Sequence, residues 1–166
     1  MAAFVTYDSS EVCELVGIGP LLLNKFVERG SYGIQPSIRP GKGRGGRRLF
    51  GPDDVLGIAL VWWLFESGLR SGVIEDVLDD VCRPAKGTAA EAAKRIRNRS
   101  IRILELNFIP KRLNPKLKVP WLQVELATER KSTIGDSPIR ITVDVGDLYT
   151  NLIERMKKLA GLPEGR

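Results

Sequence analysis

The sequence contains no histidine and only two cysteines, Cys13 and Cys82. Without histidine the commonest general base is missing, and so is the usual partner of a serine or cysteine nucleophile. Two cysteines do not make a disulfide framework, and with no histidine beside them they cannot complete a zinc site. No catalytic residues, metal or cofactor are therefore expected, and the chain does not read as an enzyme. Long apolar runs are also lacking. The longest, Val55 to Phe65, is interrupted by Gly57 and falls short of the roughly 20 residues a bilayer requires. Residues 1–10 lack the basic start and apolar stretch of a secretory signal, so no membrane association and a cytoplasmic location are expected.

Hydrophobic residues make up 43% of the 166, enough to build a packed core. The net charge of +6 is unevenly spread. Residues 1–83 carry 9 basic and 11 acidic side chains, whereas residues 84–166 carry 17 basic and 9 acidic ones. Within the acidic half, the segment 31–50 holds Arg39, Lys42, Arg44, Arg47 and Arg48 without a single acid. A local excess of that kind suits an anionic polymer.

Helices are expected first and strands later. Ser9 or Ser10 is placed to cap a short helix reaching Val16, and Gly17-Ile18-Gly19 makes a turn. Pro20 suits the first turn of a second helix, with Leu22, Leu23, Phe26 and Val27 inward and Gly30 at its end. Two short helices joined by a glycine-containing turn describe a helix-turn-helix. A glycine-rich stretch leads to Arg47-Arg48-Leu49-Phe50, a candidate returning strand. Gly51-Pro52-Asp53-Asp54 then opens a helix to about Ser67 that is apolar nearly all round and must be covered on several sides. Trp62 and Trp63, being adjacent, cannot both face one core, which points to a dimer or domain interface. Ser71 is placed to cap a further helix carrying Val73, Ile74, Val77, Leu78 and Val81.

Residues 83–87 read as a linker, dividing the chain into 1–83 and 88–166. Beyond it, Thr88 and Glu91 form a capping-box pattern. Three segments alternate with period two: Leu104, Leu106 and Phe108; Leu122, Val124 and Leu126; Ile139, Ile141, Val143 and Val145. Each is expected to bury one face, with Glu105 and Asn107 outward. Asp147 is placed to cap a closing helix. The expected class is α+β: a helical unit followed by an α-βββ-α module with a three-stranded antiparallel sheet.

The ordered set Tyr7, Gly17-Ile18, Leu23, Phe26, Gly30, Pro36, Arg47, Arg48, Phe50, Pro52-Asp53-Asp54-Val55, Leu64, Gly68, Leu69 and Ile74 resembles the winged helix-turn-helix of the MerR family over about half the chain. The resemblance implies a dimeric, sequence-specific regulator of transcription bound to double-stranded DNA at the nucleoid, its second helix in the major groove and its wing on the flanking backbone. It also implies that Tyr7 opens the first helix. The sequence departs from the family at Asn24, where an arginine is usual, at the apolar Leu21 and Leu22, and in lacking the long dimerising helix that typically follows.

On this reading the DNA-facing candidates are Leu21, Asn24, Lys25, Glu28 and Arg29 on the second helix, and Arg39, Lys42, Arg44, Arg47 and Arg48 in the wing. Asparagine can read adenine bidentately, lysine reaches guanine or phosphate, and Leu21 or Leu22 can touch thymine methyls. The wing arginines supply mainly counterion release or reach a narrow minor groove. A single short helix and wing bury little surface, so a homodimer is expected. The second module would then pair protomers, bind an effector or contact a protein partner. A second basic run, from Lys94 through Arg95, Arg97, Arg99, Arg102, Lys111, Arg112 and Lys116 to Lys118, would extend the DNA contact or remain a solvated face. The alternatives are a recombination directionality factor, or an antitoxin or adaptor whose basic C-terminal half grips a partner.

Overall fold

The apolar run at the middle of the sequence becomes the hub of the molecule. Pro52–Glu66 forms a helix, α3, in which residues 55–61 and Leu64 are all buried. Proline occupies its first turn, and the Gly51 amide donates to Asp54 Oδ2 at 2.8 Å, closing the helix start. An all-round apolar helix needs cover on every side. It receives that cover from α1 (Ser9–Val16), α4 (Ser71–Cys82), α5 (Ala89–Asn98) and α6 (Val145–Leu159), all of which touch it. The computed structural model describes residues 5–37, 47–84, 86–108, 122–128 and 139–161. Among these residues it is α+β, with six α-helices, a two-stranded ribbon and a three-stranded antiparallel sheet. No helix among them is long and apolar enough to cross a membrane.

In the core, the backbones of α3 and α5 approach closely. A Cβ built on Gly57 would lie 2.5 Å from the carbonyl carbon of Ala89 and 2.6 Å from the Ala90 nitrogen. The start of α5 therefore rests directly on the α3 backbone, and its inner face of Ala89, Ala92, Ala93 and Ile96 is small enough to permit this. Thr88 caps α5, its Oγ1 accepting from the Glu91 amide at 3.2 Å. The Arg95 guanidinium reaches back to the carbonyls of Val81 (3.1 Å) and Arg83 (2.6 Å), satisfying acceptors at the end of α4.

The sheet is ordered β4-β3-β5, from strands β3 (Ile103–Phe108), β4 (Leu122–Ala127) and β5 (Ile139–Asp144), both pairings antiparallel. Leu104 lies opposite Leu126 and Val143, and Leu106 opposite Val124 and Ile141, giving one apolar face that joins the helical core. The core cluster is continuous from Tyr7 near the start of the chain to Met156 in α6. Tyr7 Oη donates to the Met156 carbonyl at 3.3 Å, and Arg155 Nη2 to the Glu14 carbonyl at 2.8 Å, tying the last helix to the first elements.

Several local expectations are corrected. Tyr7 does not open a helix: Tyr7–Asp8 is a short strand, β1, paired antiparallel with β2 (Leu49–Phe50), which puts Tyr7 opposite the fully buried Phe50. The cap of α1 is Asp8, not Ser9 or Ser10. Its Oδ1 accepts from the amides of Ser10 (2.9 Å) and Glu11 (3.0 Å), while Glu11 Oε2 accepts from the Asp8 amide (2.7 Å). A carboxylate at the positive helix end outcompetes the hydroxyls beside it. At the other end, Asp144 caps α6 by accepting from the Asp147 amide at 3.1 Å, so β5 stops one residue short of Val145. Ser71 is the first helical residue of α4, whose cap position, Arg70, makes no side-chain capping bond. Glu105, expected outward, is only 6% exposed, and its neighbour Ile103 only 3%. Strand β3 is the central strand, flanked on both edges, and its second face is closed at these positions.

Candidate nucleic-acid interface

Pro20–Arg29 forms the second helix, α2, after a turn in which Gly17 adopts φ 78°. Leu23 and Phe26 hold it on the core, at 1% and 6% exposure. Leu22 and Val27 are partly buried against the same core. The opposite side carries Leu21, Asn24, Lys25 and Glu28, all exposed and spaced at the intervals that line up on one helix face. Arg29 is exposed beyond them, and Gly30 ends the helix with φ 58°. Leu21 is 86% exposed, the most exposed large apolar side chain among the described residues.

The chain after α2 is pinned before it reaches the basic segment. A 3-10 turn, Ser31–Gly33, buries Tyr32 edge-on against Phe26 with ring centroids 5.5 Å apart, and Tyr32 Oη donates to Ser71 Oγ at 3.0 Å. Ile34 is buried, and Ser37 Oγ donates to the Asp54 carboxylate at the start of α3. The chain re-enters the described residues at Arg47 and passes directly into β2. Arg39, Lys42 and Arg44 lie between these points, outside the described residues.

Arg47 is exposed. Arg48 is half-buried, and its Nη1 donates to Asn24 Oδ1 at 3.0 Å. This bond joins the returning arm of the basic segment to the outward stripe of α2. The sequence reading names both residues as candidates for DNA contact but gives no sign that they bond to each other, because they are 24 positions apart.

Three residues of the second basic run, Arg95, Arg97 and Arg102, make contacts within the chain. Arg95 caps α4 as described, Arg97 Nη1 lies 2.7 Å from Asp53 Oδ1, and Arg102 Nη2 lies 2.6 Å from Asp147 Oδ1. Lys94 and Arg99 are exposed, while Lys111, Arg112, Lys116 and Lys118 lie outside the described residues. The two tryptophans divide. Trp63 leans on Tyr149 of α6 (5.6 Å, 46°), so it is used within the chain, and Trp62 stacks on Phe65 (5.9 Å, 16°), which is 42% exposed. Burial raises the thiol pKa of both half-buried Cys13 and buried Cys82, which keeps them protonated. Among the described residues, no three His, Cys, Asp or Glu side chains gather at metal-binding distance.

Compared with models of protein families and with curated protein sequences, the chain matches none.

Proposed function

We propose that this chain is a double-stranded-DNA-binding regulator of transcription, a winged helix-turn-helix of MerR type in which α2 enters the major groove and residues 39–48 flank it. The observation that carries the reading is the Arg48–Asn24 hydrogen bond, which joins the last basic residue of the segment to the exposed face of α2. That surface combines Lys25, Arg29, Arg47 and Arg48 with a short amide and one highly exposed leucine. Cations would hold phosphates, and the short central side chains would meet base edges. One such surface reaches few base pairs, so two protomers on a two-fold site complete the reading.

The test is the salt dependence of binding to a mixed-sequence duplex, followed by fluorescence anisotropy. Replacing Arg44, Arg47 and Arg48 together by alanine should flatten the slope of log affinity against log salt by about 0.9 for each phosphate no longer neutralised. An unchanged slope overturns the assignment and moves the footprint to the C-terminal half. A duplex bound with two protomers but without any effect on transcription would reassign the same surface to a recombination directionality factor.

A further inference from the structure

The geometry points to Arg48 as a positioning residue that fixes which way the Asn24 amide faces a base, so that selectivity at one base position depends on the residue that leads into β2. This rests on the reading of α2 as the groove-facing helix.

A guanidinium has five N–H donors and no acceptor. The Asn24 atom 3.0 Å from Arg48 Nη1 must therefore be the amide oxygen, and the NH2 group is turned to the other side. An asparagine on an exposed helix face is otherwise free to rotate its amide by half a turn, exchanging donor for acceptor. Arg48 removes that freedom, because its own backbone is not free. It immediately precedes β2, where Leu49 pairs with Asp8 and Phe50, fully buried, pairs with Tyr7.

Asn24 is also the one short polar side chain in the outward stripe, with the long Lys25 and Glu28 beside it. A bidentate amide contact demands one sense of donor and acceptor, as with the N7 acceptor and N6 donor of adenine. An amide held in that sense rejects a base whose edge has the groups reversed. An amide free to turn adapts to it. Arg47 supplies an internal control: the same charge, one residue earlier, exposed and with no bond to α2 among the described residues.

The experiment uses the full chain. A preferred site is first selected from a random duplex library, and the base position that loses its preference in N24A is identified. Affinities are then measured for all four bases at that position. Wild type should prefer one base by about tenfold or more. R48A should reduce this ratio to within about threefold while leaving preferences at other positions in place, and R48K, which can still donate to Oδ1, should restore part of it. R47A should weaken binding to all four duplexes alike and keep the ratio. As a second variant at an exposed position, N24D keeps the acceptor toward Arg48 and removes the donor, so the preference should move to cytosine, whose N4 donates. An R48A protein with the wild-type ratio, or an N24A protein with no base-specific loss, overturns the inference while leaving duplex binding intact. Failure to select any duplex overturns the underlying functional reading as well.

Discussion

The Tyr149 hydroxyl lies in the core without a hydrogen-bond partner among the described residues. Desolvation raises its pKa strongly, the nearby Asp53 carboxylate raises it further, and Arg97 opposes them. A buried hydroxyl with no partner forfeits its hydration without compensation. Tyr149→Phe is therefore expected to be neutral or to stabilise the fold by about 1 kcal/mol, measured by urea denaturation. The same residue gives the alkaline limb of stability its sign. Tyrosine in the unfolded chain ionises near 10, and both Tyr149 and Tyr7 are shifted above that in the fold. Above about pH 10 the unfolded chain releases protons that the native state retains, so stability is intact below that pH and falls as pH rises toward the folded values. Tyr149→Phe should make the decline shallower; an identical decline in both proteins would contradict the assignment. Near the start of the chain, Asp8→Ala removes a reciprocal cap and should cost about 1 kcal/mol in the same assay.

Among the elements, α3 and α5 form the tightest pair. Gly57→Ala improves intrinsic helix propensity by about 1 kcal/mol, yet the added methyl would sit within 2.5–2.7 Å of the Ala89–Ala90 backbone. Overpacking against main chain cannot be relieved by a rotamer change, and a net loss on the order of 1–2 kcal/mol is expected as a lowered thermal midpoint. The helices were legible because their signals are local. The apolar run 55–65, Pro20 and Pro52 at helix starts, and Gly30 and Gly68 at helix ends act within a turn or two of their own positions. The three strands were legible from their alternation, and Leu104 and Leu106 do face the core. The cap at Asp8 was legible too, since Asp8 and Glu11 have the spacing of a capping box, but the two serines that follow Asp8 are cap formers as well and mask it. Burial of Glu105 depends on cover over the second face of β3, which no local pattern encodes. At the interface, the exposed stripe of α2 was readable from helix spacing, whereas the bond from Arg48 to Asn24 depends on the β1–β2 pairing that returns the chain beside the helix.

At the level of the whole molecule, one core cluster serves both the proposed DNA-facing elements and the βββα segment. Residues 55–61 of α3 are buried partly by α5, which enters only after residue 88. A fragment ending at Arg83 lacks that cover and exposes a large apolar strip. It is expected to aggregate or to melt without a cooperative transition in calorimetry, while the full chain melts as one unit. A cooperative transition in the fragment would show that α5 contributes little. The salt bridge between Arg97 and Asp53 falls on the same seam, one residue from the Asp54 carboxylate that holds Ser37 and Gly51.

Ser37 and Arg48 have a consequence for engineering. Their anchors, Asp54 and Asn24, both lie outside the intervening stretch. Replacing residues 38–46, which lie outside the described residues, therefore removes neither anchor. Doubling the length of a flexible insert raises its closure cost by only about 0.6 kcal/mol, so sequences of different length and charge can be grafted there to vary the charge of the proposed interface without redesigning the scaffold.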